Sequence, residues 1–113
     1  MFKLTKNRLV KAWPATVSLA TDNGEIQTHE ITLDLVLLDT GEFNDLSRQG
    51  DPAFFKKVIK GWDGIGDENG DPLPFNTKTL KAAVQNPAFT AAALSAYMDA
   101  AQGRAATKNL PRQ

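Results

Sequence analysis

The chain has no cysteine and a single histidine, His29. Without thiols it has no disulfide framework, thiolate zinc site, iron–sulfur ligand or cysteine nucleophile, a usage that suits a reducing cytoplasm. Long apolar runs are missing as well. The longest cover four residues, 35–38 and 91–94, against the roughly 20 needed to cross a bilayer. Residues 1–6 carry Lys3 and Lys6 but no apolar core or small-residue cleavage site, so a secretory leader is not expected. Net charge is also absent: thirteen Lys and Arg balance thirteen Asp and Glu, and the whole-chain field is too weak to hold nucleic acid or anionic lipid nonspecifically. What is present, 113 residues of which 42% are hydrophobic and 23% charged, suits one domain able to fold without a covalent or metal staple. Composition predicts a soluble cytoplasmic domain and is silent on its task.

Charge is unevenly spread along the chain. Residues 1–12 hold Lys3, Lys6, Arg8 and Lys11 without an acid, and residues 101–113 hold Arg104, Lys108 and Arg112 without an acid. The body between them has six bases against thirteen acids. Basic ends on an acidic body read as solvated termini rather than as arms gripping an acidic partner. No aromatic residue interleaves the basic tail, which removes a stacking platform for single strands.

From Trp13 the sequence alternates, with Trp13, Ala15, Val17 and Leu19 on one side and Thr16 and Ser18 on the other. A second run sets His29, Ile31, Leu33, Leu35 and Leu37 opposite Thr28, Glu30, Thr32 and Asp34. Period two over both runs predicts two strands, joined as a hairpin through Asp22-Asn23-Gly24. A two-residue Asn23-Gly24 turn would pair odd apolar residues with even polar ones and split the buried face. A three-residue loop with Gly24 left-handed sets Trp13 against Leu33, Ala15 against Ile31 and Val17 against His29, and this bulged turn is the one expected. Phe2 and Leu4 permit a short edge strand ahead of the hairpin.

Residues 40–50, with Phe43 and Leu46, read as a short helix or turn ending at Gly50. Asp51-Pro52 offers an N-cap and a first-turn proline for a helix to about Lys60, with Phe54, Phe55, Val58, Ile59 and Trp62 at helical spacing. Residues 61–74, dense in Gly, Asp and Pro, predict a turn or small hairpin around Asp67-Glu68-Asn69-Gly70. Asn76 caps a further helix to about Gln85, with Phe75 and Leu80 at the positions of a hydrophobic staple. Asn86-Pro87 repeats the cap-plus-proline signal and opens an alanine-rich helix through Phe89, Ala93, Leu94, Tyr97 and Met98 to near Gly103. Strands first and helices last predict an α+β fold, an N-terminal antiparallel hairpin or small sheet packed with C-terminal helices. The expected domain covers residues 1–103, followed by a flexible tail over 104–113.

Chemistry is sparse. His29 sits on a strand with no nucleophile elbow near it in sequence, and it reads as a packed or edge histidine without a catalytic role. The acidic loop fails a calcium count begun at Asp67: Pro72 stands where the loop needs Gly, and Lys78 where it needs a bidentate Glu. Gly61-x-x-Gly64-x-Gly66 lacks the Lys-Ser/Thr and helix start of a phosphate cradle. No nucleophile, base and oxyanion donors can be named together, so no enzyme, metal or cofactor is expected. The predicted helices offer no basic recognition face for duplex DNA. One constellation points to binding. Phe54, Phe55, Val58, Ile59 and Trp62 are five large residues in nine positions, more than the single stripe of a surface helix. A domain this small uses most such residues for its core. Phe54, Phe55 and Trp62, with Phe89 and Tyr97, are the candidate partner contacts.

The order of signals carries a resemblance: an opening Phe2-Lys3-Leu4, a hairpin, Val58-Ile59-Lys60-Gly61-Trp62-Asp63-Gly64-Ile65, an acidic glycine turn, Pro74-Phe75-Asn76, Leu80, a helix from Pro87, Tyr97 and a closing Lys108-Asn109. Together these resemble the small tail assembly chaperones of long-tailed (siphovirus-type) bacteriophages and prophages. The likeness is clearest over residues 52–109, and the Gly61-Trp62 and Pro74-Phe75 pieces are its most telling parts. It implies a non-enzymatic α+β protein of the host cytoplasm that binds the helix-rich tape measure protein before the tail tube polymerises. It further implies self-association along that client and absence from the mature virion. The other expectation is a structural virion component such as a tail tube, tail terminator or head–tail joining protein.

Overall fold

The computed structural model describes residues 1–106. Its sheet has three antiparallel strands, β1 (Arg8–Ala20), β2 (Ile26–Leu37) and β3 (Ile59–Asp63), in the order β1-β2-β3. Four helices complete the α+β fold: α1 (Thr40–Gln49), α2 (Asp51–Val58), α3 (Thr77–Ala83) and α4 (Pro87–Ala101). Trp13 faces Leu33, Ala15 faces Ile31 and Val17 faces His29, the register of the three-residue loop. That loop, Asp22–Gly24, turns through left-handed Asn23 at φ 65° and Gly24 at φ 77°, and the Thr21 N–H closes it on the Glu25 carbonyl at 2.7 Å. The pleat then buries Ala15, Ile31, Leu33 and Leu35 against the helices and leaves Ser18 and Glu30 exposed.

β1 begins at Arg8, five residues ahead of the visible alternation, because a bulge hides its first part. Val10 pairs with Leu35 and Trp13 with Leu33, so Lys11 and Ala12 together oppose Asp34. An extra residue reverses the inside–outside phase of a strand. Ala12 takes φ 52°, and its freed N–H donates to Asp34 Oδ1 at 2.8 Å. The edge strand expected at Phe2 and Leu4 does not form; both side chains are exposed and residues 1–5 have no regular structure.

The largest correction is β3. The helix expected to reach Lys60 ends at Val58, and Ile59 enters the sheet opposite Leu35, with Trp62 opposite Leu33. Helical spacing placed Trp62 on the same stripe as Phe55 and Val58, but β2 has an open edge whose backbone groups must pair, and the next residues satisfy it. A second register break falls between Asp34 and Leu35, so Lys60 is the extra residue on β3. Asp34 thus stands at both irregularities of the sheet. Gly61 lies under its carboxylate: a Cβ there would come within 2.5 Å of Asp34 Oδ2. Gly64, at φ 88°, would press a Cβ to 3.1 Å from the Glu30 carbonyl oxygen. The glycines that fail as a phosphate cradle serve instead where β3 crosses β2 and leaves it.

The helices follow their local signals closely. Asp39 caps α1 by accepting the Glu42 N–H at 2.9 Å, and Gly50 at φ 97° separates α1 from α2. Asp51 is the first residue of α2 and not its cap, which is Gly50. The loop after β3 is a small hairpin: Gly66 bridges to Pro72, and Asp67 Oδ1 accepts the N–H groups of Asn69 and Asp71 at 2.9 and 3.0 Å. Asn76 and Thr79 form a reciprocal capping box on α3, which stops at Ala83, short of Gln85. Asn86 caps α4 through the N–H groups of Ala88 and Phe89. Small residues let α4 approach the sheet, with Ala92, Ser95 and Ala96 beside Pro14, Ala15 and Thr16. Beyond Gly103, Arg104 is held to the chain: its N–H and Nε donate to the carbonyl and carboxylate of buried Asp99 at 2.8 and 3.1 Å. The rest of the expected tail, residues 107–113, lies outside the described residues.

Gly61→Ala is expected to cost about 1–3 kcal/mol of stability through the forced contact with Asp34. In an Asp34→Ala background the same change is expected to cost much less, while Asp34→Ala alone loses about 1 kcal/mol with the Ala12 hydrogen bond. Chemical denaturation of the four proteins checks this as a double-mutant cycle. Additive losses would separate the two residues.

Candidate functional site

The five aromatic residues singled out in the sequence lie in two neighbouring ring groups, four of them buried and Trp62 half-buried. Phe54, Phe55, Phe89 and Tyr97 are buried, with Phe55 and Tyr97 each 1% exposed. Phe54 packs edge-on to Phe55 and Tyr97 at ring-centre distances of 5.3 and 5.1 Å, and Phe43 stacks on Tyr97 at 5.7 Å. Trp62 forms a second group, edge-on to Phe75 at 5.1 Å and Phe89 at 6.0 Å, and its Nε1 donates to the Leu73 carbonyl at 2.8 Å. Such pairs stabilise a core beyond the area they bury. Of the five candidate partner contacts, Phe54, Phe55, Phe89 and Tyr97 therefore lie in the core and Trp62 is half-buried. They join the sheet to α1, α2 and α4 and hold the hairpin after β3, which leaves them little surface to offer.

Tyr97 shows how firmly this interior is set. Its hydroxyl accepts the Leu38 N–H at 3.0 Å, linking α4 to the chain as it leaves β2. Burial raises the phenol above its ordinary value of 10.0; the Leu38 N–H draws it back, and the Glu42 carboxylate pushes it up again. A neutral hydroxyl is thus the form the fold accepts.

A concave surface lies elsewhere, between α2 and α3. One wall is Pro52, Ala53 and Lys56 of α2, and the other is Thr77, Leu80, Lys81 and Val84 along α3 and its C-cap. Ile59 and Phe75 close the floor, and Lys60 stands at the β3 end. The groove encloses about 580 Å³. Its walls follow from helical geometry, since 77, 80, 81 and 84 fall on one stripe and 52, 53 and 56 on another. α2 leads directly into β3, while α3 begins only after the hairpin and its capping box. Lys56, Lys60 and Lys81 are exposed, and among the described residues none of them has an ion-pair partner. The site is an apolar trough with cationic borders.

In the sequence Phe75 and Leu80 mark a helix staple and part of the resemblance, and the groove they line has no local signal. The stripe on α3 was legible, but its partner wall depends on where α2 ends and the chain turns into β3. His29 is exposed on β2. Among the described residues no group of three or more His, Cys, Asp or Glu side chains is placed to hold a metal ion, and no helix is long and apolar enough to cross a membrane. Comparison with family models, curated proteins and solved structures finds no match for this chain.

Tyr97 is the only tyrosine, so tyrosinate absorbance reports on it alone. The folded protein is expected to titrate above 10.0, and the denatured chain near about 10. Because the folded state favours the neutral phenol, its contribution to stability is complete below the unfolded value and is lost as pH rises through the folded one. Tyr97→Phe is expected to remove that alkaline slope and, by leaving the Leu38 N–H without its acceptor, to lower stability at neutral pH by about 1 kcal/mol. Denaturation curves across pH check both effects.

Proposed function

We propose that this chain is a non-enzymatic assembly chaperone of a long-tailed bacteriophage or prophage, binding the tape measure protein in the host cytoplasm and keeping it soluble until the tail tube polymerises. One observation carries the reading. The apolar groove between α2 and α3 is built from residues 52–84, inside the stretch that resembles tail assembly chaperones. A tape measure protein presents apolar helix faces while it waits for its tube, and a groove that covers such a face removes it from aggregation. Binding of this kind needs no reacting groups, consistent with a chain in which no catalytic set can be named. The chaperone leaves before the virion matures, which separates this reading from a tail tube, terminator or joining protein.

Co-expression with the large helix-rich protein encoded beside this chain tests the proposal. The two are expected to co-purify, with the client soluble only when its partner is present. A client that stays soluble and ignores this protein, or recovery of this protein in purified particles, would overturn it.

A further inference from the structure

We infer that the groove between α2 and α3 binds an amphipathic helix whose apolar stripe is bordered on both sides by Asp or Glu. This specifies the client segment and rests on the chaperone reading for its biological partner, although not for its physical basis. Length argues first for a helix. At 1.5 Å per residue, the lining residues 77–84 along α3 and its C-cap span about 10.5 Å, and those of α2, 52–56, span about 6 Å. A guest helix presents its residues i, i+3, i+4 and i+7 over about 10.5 Å. Backbone chemistry argues against an extended guest. Helical walls pair most of their own N–H and C=O groups internally, so a strand laid between them would gain few main-chain hydrogen bonds, all of them at the helix ends or at the short β3 stretch that lines the groove.

Charge then defines the borders. Lys56 projects from the α2 wall, Lys81 from the α3 wall and Lys60 from the β3 end, around an apolar lining that includes Ile59, Phe75 and Leu80. These three side chains are half of the six bases in residues 13–100, a stretch that holds thirteen acids. They gather on one groove and, among the described residues, remain without ion pairs. Nearby Lys57, outside the groove lining, does have a partner, Glu42 at 3.7 Å. A guest carrying acids on both sides of its stripe meets a lysine at either wall. A guest bordered by Lys or Arg meets like charge at the same places, so the arrangement selects as well as attracts.

The test uses the full chain and two synthetic peptides of about 18 residues, long enough to populate a helix, with the same leucine stripe and either Glu or Lys at the flanking positions. The Glu-bordered peptide is expected to bind at least about tenfold more tightly than the Lys-bordered one, with affinity falling as salt is raised. Lys60→Glu with Lys81→Glu, both at exposed positions, is expected to reverse that preference while circular dichroism and thermal unfolding stay unchanged. Equal binding of both peptides, no binding of the Glu-bordered one, or indifference to the double change would overturn the inference. A dimer that the double change splits, with neither peptide bound, would assign the groove to a second copy and also overturn it. Repeating the tape measure co-expression with the double variant separates the two proposals. Capture that survives the charge reversal leaves the chaperone reading standing and removes the groove from it. Peptide selectivity without capture by the unaltered chain does the opposite.

Discussion

The sheet depends on what surrounds Asp34. This half-buried residue lies on the central strand where both neighbours carry an extra residue, Lys11-Ala12 on one side and Lys60 on the other. A bulge leaves backbone groups out of the ladder, and those groups need a partner. The carboxylate supplies one for the Ala12 N–H and covers the bare backbone at Gly61. With both breaks at one level, β1 and β3 change phase together, and Trp13, Leu33 and Trp62 stay on the core side of three consecutive strands. An apolar core therefore relies on a polar side chain on the opposite face of the sheet.

From that sheet the aromatic interior extends in two directions. Tyr97 joins α4 to the end of β2 through its hydroxyl and to α1 and α2 through Phe43 and Phe54. Trp62 joins β3 to the glycine hairpin through Leu73 and to the starts of α3 and α4 through Phe75 and Phe89. The second set governs the groove. Trp62 secures the chain that leaves β3, and Phe75, packed edge-on to it, is part of the floor of the trough. A cavity with fixed walls asks less ordering of its guest complex than one that must be assembled on binding. Trp62 and Phe89 thus hold the chain around the groove, while Phe75 also lines it.

Much of the fold could be read from local chemistry. Period-two alternation together with a three-residue turn was sufficient for the hairpin register, because a slip of one residue would have exposed the whole apolar face. Asn76 and Asn86 announced their helices, since a side-chain acceptor before an apolar-periodic run does the same work in a peptide as in a folded domain. Failures came where periodicity was interrupted or ambiguous. The bulge at Ala12 broke the alternation of β1, and Phe54, Phe55, Val58, Ile59 and Trp62 fit a helical stripe although the last two belong to a strand. Short apolar runs do not distinguish the two periods.

Sequence by itself determined the α+β class, the hairpin with its register and the capped helix starts, since each rests on neighbours a few residues apart. Tertiary structure alone decided that residues 59–63 complete a sheet, that four of the five candidate aromatics become core while Trp62 stays half-buried, and that three lysines from three elements border one trough. Those outcomes depend on which backbone edges lie open and which walls face each other once the chain has folded back, and no local pattern contains that information.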